Sequence, residues 1–124
     1  MTIYEQSIKD SGHRREFETG AVRDMQDGKG RMDLIPWGAV IELSKHCEAG
    51  VKKYGERNID KGLPISSLIS SARRHLAKYR LGYKDENHLL AAFWSIAWAV
   101  QFEKYMPDMQ DIPARIGDTN DKTD

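Results

Sequence analysis

The sequence predicts an all-α fold, a bundle of three main helices behind an irregular N-terminal segment. Two observations carry that prediction. Apolar residues recur at spacings of three and four in three separate windows, each closed by glycine or proline. No run alternates apolar and polar residues over the length of a strand.

The elements follow in order. Residues 1–18 are polar and aperiodic and read as a flexible N-terminal segment. Residues 19–34 are rich in Gly, Asp and Arg and read as loop. The first helix begins near Pro36, because proline suits a first turn and Asp33 stands ready to cap it. Its stripe is Trp37, Val40, Ile41, Cys47, Val51 and Tyr54, and Gly55 stops it. A loop over 55–64 leads to a second helix from Ile65 to Leu81, with Ile65, Leu68, Ile69, Ala72, Leu76 and Tyr79 on one face and Gly82 at its end. The third helix follows Asp85, read as its N-cap, and runs to about Tyr105 before Met106-Pro107. From residue 108 to 124 the chain is polar and reads as a disordered tail, which sets the folded domain at 19–107.

The third helix is apolar around more than one face, through Leu89, Leu90, Phe93, Trp94, Ile96, Trp98 and Val100. Such a helix is central or lies in an interface, so the sequence predicts a homo-oligomer.

Composition bounds the function. The 124 residues suit one domain. Lys plus Arg and Asp plus Glu number 19 each, so no net positive field exists to hold duplex nucleic acid. Cys47 is the only cysteine, which suits a reducing compartment. The N-terminus lacks a charged-then-apolar signal, and the apolar stretch Leu89 to Phe102 is too short for a bilayer. The expectation is a soluble cytoplasmic protein with no membrane partner.

Polar residues written into these helices mark a candidate site. Glu48 sits at the edge of the first stripe; it either pairs with Lys52 one turn on or serves a metal, base or ribose. His75 lies on the inward face of the second helix. Arg74 and Lys78 flank it with Ser71, and two cations beside an imidazole call for an anion, such as a phosphate or a carboxylate from another helix. His88 opens a face of small residues, Ala91, Ala92, Ser95 and Ala99, fit for close helix approach or for ligand space. Asp85 and Glu86, with Glu48, are candidates to hold Mg²⁺. Gly28-Lys29-Gly30-Arg31 is a short basic loop able to approach phosphate, without P-loop spacing. Lys52, Lys53 and Arg57 add positive charge around the end of the first helix, either for a ligand or as a solvated face, and Tyr54 and Asn58 lie in the same polar run. One cysteine and scattered histidines give no zinc-site spacing, and no Gly-x-Ser-x-Gly elbow occurs.

The ordered series Gly20-Ala21-Val22-Arg23-Asp24, Gly28-Lys29-Gly30-Arg31, Asp33-Leu34, Pro36, His46, Glu48, Lys53-Tyr54-Gly55, Arg57-Asn58, Arg74-His75, Lys78, Gly82, Asp85-Glu86 and His88-Leu89 resembles the dATP/dGTP diphosphohydrolase N-terminal domain family. The resemblance covers about residues 19–105. It implies a MazG-like all-α bundle, common in bacteriophages, that would then work in the host cytoplasm. It also implies Mg²⁺-dependent cleavage of a (deoxy)purine nucleoside triphosphate to monophosphate and pyrophosphate. Under it, Glu48 and His75 are catalytic. Lys29, Arg31, Lys53, Tyr54, Asn58, Arg74, Lys78 and His88 bind substrate, and Glu48, Asp85 and Glu86 bind the metal. The sequence departs from the pattern in carrying Ile59 after Asn58 and Ser95 after Trp94, where such proteins usually carry Trp and Asn. The broader Glu-x-x-Glu and Glu-x-x-Asp arrangement is absent: Lys45 follows Glu42 by three, Val51 follows Glu48 and Leu89 follows Glu86. A nucleotide binder that sequesters its ligand without cleaving it is therefore the alternative reading.

Overall fold

The computed structural model describes residues 10–118. The outer parts of the predicted flexible segment (1–9) and of the predicted tail (119–124) lie outside the described residues. The chain divides after Ile35 into two compact units.

The N-terminal unit corrects the expectation of loop without strands. Strands β1 (Arg14–Glu16) and β2 (Val22–Asp24) pair antiparallel, with Arg14 opposite Asp24 and Glu16 opposite Val22. Strands of three residues are too short to write a two-residue period into the sequence. What holds them is local. Phe17 N–H donates to the Ala21 carbonyl at 2.9 Å, and the Ser11 hydroxyl and Lys29 both engage Asp24. The Ser11 hydroxyl, above all, pulls the Asp24 carboxyl down to about 2.

The second unit holds three helices, α1 (Trp37–Tyr54), α2 (Ile65–Arg80) and α3 (His88–Tyr105). Two expected caps are corrected. Asp33 does not cap α1, because the Arg31 guanidinium takes both its oxygens, Nε at 2.9 Å and Nη2 at 2.8 Å. Asn87 rather than Asp85 caps α3, accepting from Leu90 N–H at 3.1 Å, while Asp85 is drawn to His88.

The close pair is α2 with α3. Buried Ala91, Ala92, Ser95 and Ala99 form the face of α3 that meets Ile65, Leu68 and Ala72 of α2. Small residues there let the two backbones draw together, and Phe102, with 1% exposed, closes the core at one end. By contrast none of the residues of α1, all of them described, is fully buried. No helix among the described residues is long and apolar enough to cross a membrane.

Residues 106–112 fold back as a strap, where the sequence reads as tail from 108. Met106, Met109 and Ile112 pack on the core. Asp111 supplies the missing cap of α2: Ser66 N–H donates to its Oδ1 at 2.8 Å and the Ser66 hydroxyl donates to its Oδ2. These bonds hold the Asp111 carboxyl below the usual carboxylate range, the hydroxyl contributing most. The strap presses on Gly62, where a Cβ would stand 2.8 Å from Met109 Sδ and the backbone sits at φ +95°. Both conditions reserve that position for glycine.

Candidate functional site

Gly82 positions the polar site. At φ +86° it ends α2 in a Schellman turn, with Tyr83 N–H donating to the Lys78 carbonyl and Gly82 N–H to the Tyr79 carbonyl, both at 3.0 Å. The chain reverses tightly, and residues 85–88 arrive beside the last turns of α2. His88 is thereby sealed against His75, with side chains 0% and 14% exposed. Their Nδ1 atoms lie 2.9 Å apart. Glu86 Oε1 stands 3.6 Å from His75 Nδ1 and 4.0 Å from His88 Nδ1. Asp85 Oδ1 accepts from His88 Nε2 at 2.7 Å, a contact that pulls the Asp85 carboxyl down.

Burial pushes the His75 imidazole below its ordinary value. Glu86 opposes that shift, and Arg74, His88 and Lys78 reinforce it. Among the described residues His75 Nε2 makes no hydrogen bond, and it reaches solvent. Arg74 is exposed, its Nη2 within 3.4 Å of the Ser71 hydroxyl, and Lys78 is half-buried. This end of the α2–α3 pair thus carries two imidazoles, two carboxylates and two cations.

A second feature opens on the other flank of α3. Tyr54, Asn58, Ile59, Leu63, Trp94 and Trp98 line a cleft of about 710 Å³ between α1, the loop after it and α3. That is the size range of small-ligand pockets, and its walls are mostly apolar and aromatic. Trp94 and Trp98 pack at 6.2 Å between ring centroids, and His46 lies 5.7 Å from Trp94. Arg57 at the rim has φ +61°, a strained conformation for a residue other than glycine.

The fold therefore brings together His75, Asp85, Glu86 and His88, with Arg74 and Lys78 beside them. Tyr54 and Asn58 meet in the cleft, and Lys53 lies over the Tyr54 ring at 5.1 Å. Glu48 is exposed on α1 and belongs to no group of three close His, Cys, Asp or Glu donors among the described residues. Lys29 and Arg31 belong to the N-terminal unit, where Asp24 and Asp33 already face them. Sequence reasoning assigned Trp94 and Trp98 to packing and missed their place in the cleft; their spacing of four on one helix is the signal that groups them.

The family model described as dATP/dGTP diphosphohydrolase, N-terminal, matches residues 19–112. The chain belongs to this family. The match takes in the hairpin strand β2, all three helices and the strap through Ile112. A comparison with curated proteins finds no match, and neither does one with solved structures. In this member of the dATP/dGTP diphosphohydrolase N-terminal family, the departures from pattern fall at the cleft and the core. Ile59 lines the cleft alongside two tryptophans, and Ser95 is buried against α2.

Proposed function

We propose that the protein hydrolyses a (deoxy)purine nucleoside triphosphate between its α and β phosphates. Family membership is the observation that carries this reading. A water oxygen bonds to the α-phosphorus, the bond to the bridging oxygen breaks, pyrophosphate leaves, and the water's proton passes to a base. Glu48 and His75 are the proposed bases. His75 is suited because burial disfavours its charged form while Nε2 stays open to solvent. Arg74 and Lys78 bind phosphate oxygens and stabilise charge that develops on them, with Lys53 as a further phosphate contact. Tyr54 and Asn58, with the two cleft tryptophans, receive the base; His88 holds His75 in place.

Mg²⁺ is the cation the family's chemistry implies. The clustered donors, two imidazole nitrogens and one carboxylate oxygen, do not fit it, because Mg²⁺ selects oxygen ligands. Mg²⁺ is therefore proposed to arrive with the triphosphate, as part of the substrate, near the exposed carboxylates Asp85 and Glu86. The protein is further proposed to self-associate. Exposed Leu89, Phe93, Ile96 and Val100 on α3 and Trp37 and Ile41 on α1 support that reading.

A second reading has its own support. The described carboxylates do not converge in a group of three, which favours a binder that sequesters a nucleotide-derived signal. One experiment separates the two. Purified protein is incubated with dATP, dGTP, ATP and GTP plus Mg²⁺, and free and bound nucleotides are resolved by chromatography. The hydrolase yields monophosphate and pyrophosphate together, lost with EDTA. The binder retains intact nucleotide even in EDTA. Light scattering of the same sample measures the subunit number.

A further inference from the structure

We infer that His75, Glu86 and His88 form a binding site for a borderline first-row divalent cation such as Zn²⁺, Co²⁺ or Ni²⁺. The three donor atoms are His75 Nδ1, His88 Nδ1 and Glu86 Oε1, separated by 2.9, 3.6 and 4.0 Å. These separations define one point in their plane about 2.1 Å from every donor, the ordinary length of bonds from such a metal to imidazole nitrogen and carboxylate oxygen. An ion at that point keeps positions above and below the plane for water or for oxygens of a ligand.

The surroundings are those of a prepared site. Asp85 accepts from His88 Nε2 at 2.7 Å, which commits that nitrogen to the proton and turns Nδ1 toward the cluster. A carboxylate behind a ligating histidine fixes ring orientation and raises basicity in many metal proteins. His88 is fully buried, Tyr83 lies edge-on to its ring, and the Asn87 cap and the Gly82 turn fix the backbone on either side. Two imidazoles and one carboxylate select nitrogen-seeking transition metals over Mg²⁺ and Ca²⁺. The site stands on these contacts and not on the proposed hydrolysis. With a metal on Nδ1, His75 still offers Nε2 to solvent.

The test uses the full chain, stripped with chelator and titrated with Co²⁺, whose visible d–d absorption reports ligation directly. One Co²⁺ per chain is expected, displaced by Zn²⁺ and retained in a hundredfold excess of Mg²⁺. Glu86→Gln, at an exposed position, and His75→Gln, at a half-buried one, each with the fold checked by circular dichroism, should weaken Co²⁺ binding at least tenfold. Asp85→Asn should weaken it by about 10–100-fold without removing a ligand. The inference is overturned by the absence of a Co²⁺ spectrum, by displacement with equimolar Mg²⁺, or by unchanged affinity in both ligand variants. The two imidazoles would then share only a hydrogen bond. Because the readout needs no nucleotide, failure of the hydrolase reading leaves it intact, and the reverse.

Discussion

The two flanks of α3 are packed in opposite ways. Toward α2 it presents alanine and serine, the backbones close up, and the imidazole of His88 is sealed inside. Toward α1 it presents two indoles that stay half-exposed, and α1 itself buries nothing completely. One flank holds its side chains in fixed positions. The other leaves volume that a flat ring can fill. Close packing costs adaptability and loose packing costs precision, and α3 divides the two properties around its circumference.

The largest effect should come from breaking the packed flank. Phe102→Ala removes the ring that closes the α2–α3 core and should cost about 3–5 kcal/mol in urea unfolding. On the open flank Trp94→Leu keeps an apolar wall but loses the stacking face. It should weaken nucleotide binding by about tenfold or more, worth about 1–3 kcal/mol, while the unfolding midpoint moves far less than for Phe102→Ala. Equal stability losses in the two variants would erase the distinction between flanks. Arg57→Gly relieves a left-handed backbone at the cleft rim and should stabilise by at most about 1 kcal/mol, read as a small rise in melting temperature. The smallest effect is a pH dependence. The Asp111 carboxyl is depressed in the fold, so its contribution is present above its unfolded value of 3.8 and is lost as pH falls through the lower folded value. The stability gap between the native chain and Asp111→Asn should therefore narrow steadily below about pH 4.

The helices were legible because each repeats its apolar residues over several turns: α1 runs 37–54, α2 65–80 and α3 88–105, within a few residues of the periodic windows. The hairpin was not, since its strands are shorter than any period. Nor was the strap, whose Asp108, Gln110 and Asp111 give it the composition of a tail while Met109 and Ile112 dock. The capping role passed from Asp85 to Asn87 because a turn, invisible to propensity, put Asp85 within reach of His88. For the candidate site, the residues were visible one by one, but their grouping was not. His75 and His88 meet through the Gly82 turn, while the exposed Glu48 and the close Asp85 and Glu86 look alike in a list of carboxylates.

The bond from Ser66 to Asp111 closes a loop of 45 residues, whereas His75 and His88 are 13 apart. Contacts near in sequence form sooner, because less chain entropy is lost before they are rewarded. On that ground the α2–α3 hairpin is expected to form early, a prediction that φ-values measured at Ala72 and Ala92 would check. The packing around Gly62 thus depends on a segment far along the chain, Met106 and Met109, whereas the His75–His88 pair depends only on the Gly82 turn.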